Sequence, residues 1–168
     1  SCKPKALQTL AGRTLIDHIL ETLEDASIND VVIIHSPDAK KEFKEKIVAT
    51  ANITYVEQVE PLGTAHALKT ALPYVATDNL LVLLGDVPLL SYTTVKKLKE
   101  KTLDKDLVIL TGKVKNPTGY GRISKDKDGN PMEIIEEIDC DEEQRKIDEI
   151  NSGIMAFKTK AARNLVER

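Results

Sequence analysis

The chain has 168 residues, with 24 Lys and Arg against 27 Asp and Glu for a formal charge of -3. That length carries one domain with a real core and is short for two, and the near-balanced charge gives no electrostatic case for a nucleic-acid or membrane surface as partner. Cys2 and Cys140 have neither CxxC spacing nor a neighbouring histidine pair, so no disulfide framework or zinc centre is indicated. With no apolar run near the roughly 18 residues of a membrane span and no signal-peptide pattern at the start, a cytoplasmic location is expected.

Residues 1–11 read as an approach segment without a strand. From Gly12 the spacing of Leu15, Ile16, Ile19, Leu20 and Leu23 predicts one apolar helix face that ends near residues 27–29. Residues 31–35 (VVIIH) are a predicted buried strand, Ser36-Pro37-Asp38 a helix start, and residues 39–50 a Lys/Glu-rich helix. A short strand at 53–56 and a helix over 63–72, with Ala67, Leu68 and Leu72 inward, lead to the run at 80–84. Five aliphatic residues there without polar alternation predict a strand covered on both faces, as inside a parallel α/β sheet. A helix at 92–101 and a strand at 107–113 continue the alternation, the pattern of a doubly wound, mostly parallel Rossmann-like α/β sheet. Strands at 122–124 and 131–136 then flank Lys127-Asp128-Gly129-Asn130, an inserted β-hairpin, before a charged turn at 141–146, a strand at 153–157 and a closing helix at 159–166.

Five stretches place polar or glycine residues where the pattern alone does not need them. Asp86 follows Gly85 at the carboxyl end of the predicted strand, where open α/β sheets bind ligands. A carboxylate there suits Mg²⁺, which takes one or two protein carboxylates and completes its shell with phosphates; a turn aspartate capping the next helix is the plainer alternative. Lys5 after Pro4 offers a point charge to phosphate oxygens, or is an exposed terminal lysine. The Gln58 amide can pair with a base edge, and Gly63-Thr64 opens a helix whose free N–H groups point outward; an ordinary cap with a surface glutamine explains both as well. His66 is read as packing within its helix. Gly119-Tyr120-Gly121 permits a tight turn whose amides meet a polar ligand such as a sugar hydroxyl, or simply leads into the hairpin. Glu136 and Asn151 are suited to sugar hydroxyl and amide groups, or are loop solubilisers.

Taken together these motifs resemble the uridylyltransferase domain of bacterial N-acetylglucosamine-1-phosphate uridylyltransferase, a sugar nucleotidyltransferase of cell-wall precursor synthesis. The family's PK-x-L, LGTxHA, GDVPL, PTGYGRI and EINTG stand here at residues 4–7, 62–67, 85–89, 117–123 and 149–153. The resemblance implies a single, partial nucleotidyltransferase domain over 1–168 that uses UTP and N-acetylglucosamine-1-phosphate with Mg²⁺. It implies that Lys5 holds nucleotide phosphates and is catalytic with Asp86, that Asp86 binds the metal, that Gln58, Gly63 and Thr64 read the uracil, and that Gly121, Glu136 and Asn151 line the sugar side.

The family also begins with a strand and a glycine-rich triphosphate loop, and this sequence starts after them. The expectation is therefore an incomplete phosphate grip, with this chain itself inactive for that reason, and exposed apolar strand edges. The family's homo-oligomer is held mainly by a carboxyl-terminal domain that is not in this sequence, which leaves open a monomer or association through the uncovered edge. Leu84 replaces a usual aromatic, and Ile138 a usual lysine. These departures motivate two alternatives: a nucleotidyltransferase for another sugar phosphate, and a non-catalytic nucleotide-sugar binding module.

Overall fold

The computed structural model describes residues 4–167; residues 1–3, with Cys2, and residue 168 lie outside the described part. The chain divides into two units, Ser1–Val108 with Ala156–Arg168, and Ile109–Met155. It is a mixed α/β protein, in keeping with the sequence.

The first unit opens with a 3-10 turn at Lys5–Leu7 and a two-strand hairpin, β1 (Thr9–Leu10) with β2 (Arg13–Thr14). Ala11 and Gly12 at its tip both have positive φ, 50° and 83°, the geometry of a tight two-residue hairpin turn. The approach segment is thus folded, contrary to the expectation, because Gly12 makes a turn where helical periodicity suggested a helix start.

Helix α1 (Leu15–Asp25) begins at Thr14, whose Oγ1 accepts from the Asp17 N–H at 3.2 Å. Ile16, Ile19, Leu20 and Leu23 are its buried stripe, as their spacing predicts. Strand β3 (Asp30–His35) pairs in parallel with β4 (Asn52–Glu57), from Asp30 opposite Asn52 to His35 opposite Glu57. One core cluster joins Leu7, Ile16, Leu20, Ile33, Ala39 and Phe43; another joins Ile19, Leu23, Ala26 and Val95.

Helix α2 (Lys40–Lys46) stops four residues short of the predicted end. The buried Asp17 carboxylate explains this: its Oδ1 accepts from the Val48 N–H at 3.1 Å, capturing the backbone just after the helix. Helix α3 (Thr64–Ala71) follows, and then β5 (Asn79–Val82). Leu72 is buried as expected, but Ala67 and Leu68 are only half-buried.

The run at 80–84 is half-buried throughout, not covered on both faces. Leu81 and Leu83, two residues apart and so on one face, pack against the Ile19, Leu23 and Val95 cluster. Helix α4 (Tyr92–Thr102) buries Val95, Leu98 and Thr102, and its Ser91 cap accepts from the Thr94 N–H. At the chain's end, α5 (Thr159–Val166) is tied down by its Thr159 N–H and hydroxyl, which donate to the carbonyls of Asp78 and Thr77.

The second unit is entered within β6 (Leu107–Lys113) and left within β9 (Glu149–Lys158). Between them lie β7 (Arg122–Lys125) and β8 (Pro131–Ile135), antiparallel from Arg122 opposite Ile135, and β7 also pairs antiparallel with β9 through Arg122 and Ile150. The inserted hairpin is therefore present. Its turn is held by Asp126, whose Oδ1 accepts from the N–H groups of Asp128 and Asn130, and Gly129 supplies the positive φ of 83°. Ile123, Ile135, Cys140, Ile150 and Ile154 are buried. The charged stretch at 141–146 becomes a 3-10 turn at Gln144–Lys146, and β9 is longer than the predicted 153–157. Among the described residues no helix is long and apolar enough to cross a membrane.

Candidate functional site

In the first unit a cavity of about 290 Å³ lies where three chain segments end together: Pro4, Lys5 and Ala6; Ile34, His35 and Ser36 at the end of β3; and Leu84, Gly85 and Asp86 after β5. The turn at Gly85-Asp86 is closed by the Val87 N–H donating to the Leu84 carbonyl at 3.2 Å. Space at Gly85 is tight, since a Cβ there would stand 3.0 Å from the Ala6 Cβ. Lys5 and Asp86 are both exposed on this rim, one cation and one carboxylate about the same depression.

A single exposed carboxylate is not a metal cage, and no group of three or more His, Cys, Asp or Glu among the described residues could form one. It does fit the way Mg²⁺ is held with phosphates, by one or two carboxylates with the remaining ligands from substrate and water.

Beside β4, the Gln58 N–H continues the parallel ladder by donating to the His35 carbonyl at 2.8 Å. Its side-chain Nε2 donates to His66 Nδ1 at 2.7 Å and lies 3.5 Å from the Gly63 carbonyl oxygen. Both amide hydrogens are thus turned toward the protein, leaving Oε1 as the acceptor for a ligand donor. Gly63, at φ +91° and ψ -179°, caps α3 in a backbone conformation essentially closed to other residues. No side chain caps α3, so its first N–H groups remain available, and Thr64 stands exposed beside them.

The second unit brings Gly121, Glu136 and Asn151 together. The Asn151 N–H donates to the Gly121 carbonyl at 2.8 Å. A Cβ on Gly121 would meet Ile134 Cγ2 at 3.0 Å and Glu136 Oε1 at 3.3 Å, so the missing side chain is what lets the glutamate lie over this backbone. Gly121 is buried, Asn151 half-buried and Glu136 exposed. The Asn151 Oδ1 accepts from the Gly153 N–H at 3.0 Å, which orients its amide.

Three residues near these positions escaped the sequence reading. His66 is the partner that orients Gln58, whereas the sequence suggested only packing. His35 is 4% exposed, lines the cavity, and its Nδ1–H donates to the Ser36 carbonyl at 2.7 Å, while Nε2 is buried without a partner among the described residues. Glu137 binds the Arg122 guanidinium at 2.6 Å and accepts from the Gly119 N–H at 3.1 Å. The hydrogen bond from Arg122, then that from Gly119, holds the Glu137 carboxyl below its usual range. Its signal was two adjacent glutamates, which do not say which one faces a ligand. Ile138 is 87% exposed, so its place in the loop is not a buried one.

A family model described as the MobA-like NTP transferase domain matches residues 2–147. The chain is 46% identical over 154 residues to the bifunctional protein GlmU of Francisella tularensis subsp. novicida, covering 92% of this chain and 33% of that protein. The match to the GlmU of Francisella philomiragia is also 46% over 154 residues, covering 92% and 34%. The chain thus spans about a third of the length of the curated relatives it matches. Among solved structures, HddC from Yersinia pseudotuberculosis superposes with a TM-score of 0.71 at 24% identity, covering 94% of this chain and 68% of that one. A putative glucose-1-phosphate thymidylyltransferase from Bacillus anthracis, in complex with a sucrose, gives 0.76 at 20% identity, covering 98% and 67%. At those identities the likeness is one of fold.

Proposed function

Because the chain belongs to the MobA-like NTP transferase domain family, we propose that it is the nucleotidyl-transferring part of an N-acetylglucosamine-1-phosphate uridylyltransferase, one partial domain of a longer cytoplasmic enzyme. The observation that carries the reading is the pairing of Lys5 with Asp86 on the rim of one cavity at strand ends. The similarity to two GlmU proteins supports the choice of substrates.

In the reaction a phosphate oxygen of the sugar phosphate attacks the α-phosphorus of UTP and pyrophosphate leaves. No covalent enzyme intermediate is needed, so the work of the protein is positioning and charge neutralisation. Lys5 would hold phosphate oxygens as a point charge. Gln58, with Oε1 free, would accept from the base N–H, and the open start of α3 at Gly63 and Thr64 would donate to a base carbonyl. Asp86 would hold Mg²⁺, which when bound offsets the charge developing on the phosphates. Gly121, Glu136 and Asn151 would receive the N-acetylglucosamine hydroxyl and amide groups.

The test is pyrophosphate release from UTP, N-acetylglucosamine-1-phosphate and Mg²⁺, with other nucleoside triphosphates and sugar phosphates as controls. In the full-length enzyme turnover selective for this pair is expected; equal or better turnover of another pair overturns the substrate assignment. One observation favours a second reading, a non-catalytic nucleotide-sugar binding module: Leu84, in place of the family's usual aromatic, lines the cavity itself. Binding of UDP-N-acetylglucosamine without any turnover would decide for it.

A further inference from the structure

We propose that Glu137 is a positioning residue for the sugar side, a carboxylate clamp that shapes the loop from Gly119 to Arg122 so that Gly121 and Glu136 present themselves to the sugar phosphate. The inference rests on the proposed reaction for its ligand, and on the geometry of the second unit for its substance. Arg122 is among the most buried side chains of the protein, at 1% exposure, and its guanidinium donates to the Tyr120 carbonyl and, at 2.6 Å, to Glu137 Oε2. The same Oε2 accepts from the Gly119 N–H at 3.1 Å, and Arg145 Nε stands 3.8 Å from Oε1. One carboxylate therefore fixes both ends of a four-residue loop.

Gly121 lies inside that loop, and its carbonyl receives the Asn151 N–H. A Cβ on it would stand 3.3 Å from Glu136 Oε1, so glycine leaves the carboxylate its room. Neighbouring glutamates thus take separate duties: Glu136 is exposed, and Glu137 holds the backbone beneath it. Arg122 Nε is buried without a partner among the described residues. A buried donor left unpaired is costly, so the guanidinium is a poor choice for packing alone. Its value lies in a planar fork that grips a carbonyl and a carboxylate together, which lysine lacks.

The variants E137Q and E137D, made in the full chain, test the clamp by two separate readouts. The first is amide hydrogen exchange at Gly119 and Asn151, which needs no turnover. Exchange at both should quicken at least tenfold in E137Q and less in E137D, which keeps the charge; unchanged exchange overturns the clamp. The second is binding of UDP-N-acetylglucosamine against UTP. The sugar nucleotide should weaken about tenfold in E137Q, with UTP within twofold and partial recovery in E137D. A parallel loss of both ligands, or no loss of either, overturns the positioning role. If E137Q does not fold, E137D and R122K carry the same comparison. Wild-type chain that binds neither ligand counts against the proposed reaction, and the exchange result still decides the clamp.

Discussion

In the first unit Lys5, Gly63 and Asp86 stand exposed on turns and a helix cap, each held by backbone within a few residues of it. In the second, Gly121 is buried and its surroundings come from three stretches of chain: Arg122 beside it, Ile134 to Glu137, and Asn151. On the proposed reaction, the first arrangement would separate chemistry from stability, and the second would couple them. An exposed turn carboxylate can be altered without touching a core, whereas a buried glycine cannot gain a methyl group without moving the carboxylate above it.

The sharpest contrast comes from Asp86→Asn. The substitution is nearly isosteric and exposed, so melting should be unchanged within about one degree. If Asp86 holds Mg²⁺ against the phosphates, Mg²⁺-dependent pyrophosphate release should fall on the order of 100-fold or more. Near-normal turnover would remove the metal role and leave Asp86 as a turn residue.

Two glycine substitutions divide the comparison further. Gly121→Ala places its Cβ 3.0 Å from Ile134 and 3.3 Å from Glu136, and such overpacking costs about 1–3 kcal/mol. It should lower the melting temperature and raise KM for the sugar phosphate about tenfold with UTP little changed. Gly63→Ala meets nothing within 4 Å, so its cost, about 1–3 kcal/mol, is purely backbone conformation at φ +91°. It should raise KM for UTP and leave the sugar phosphate alone. A Gly121→Ala protein that affects UTP instead would break the assignment of the two sides.

What could be read from sequence follows the same division. Local signals reached Lys5, Asp86 and the Gly63 cap, because Pro, Gly-Asp and Gly-Thr mark turns and helix starts by themselves. The face of α1 and the hairpin at Gly129 were equally plain. Asp17 stopping α2 was not, because the Val48 N–H it receives is 31 residues away. Nor was the half-burial of residues 80–84: an aliphatic run tells that a strand is apolar, not that both its faces are covered. Glu137 and His66 were missed for one reason, that a side chain's partner across a loop has no fixed spacing.

His66→Phe is a smaller test of the first unit. It removes the acceptor at 2.7 Å that turns the Gln58 amide, and leaves an aromatic ring of similar breadth. A hydrogen bond of this kind contributes about 1 kcal/mol net, so KM for UTP should rise roughly fivefold with kcat retained. A proportional fall in kcat instead would give His66 a part in the chemistry.

The smallest effect concerns the pH dependence of the second unit. Glu137 is held below the ordinary carboxylate range, first by the hydrogen bond from Arg122 and then by that from Gly119. A group with a depressed folded pKa contributes stability that is full above its unfolded value, about 4.3 for glutamate, and is lost as pH falls through the folded value. The melting-temperature difference between wild type and E137Q should therefore be constant from pH 7 down to about 5 and should close only below about pH 4. Since the Arg122 guanidinium keeps its charge throughout, no other change at the pair produces that window. A difference that already closes between pH 7 and 5 would mean that the carboxylate is not gripped by Arg122, and would break the coupling of ion pair to loop that separates this unit from the first.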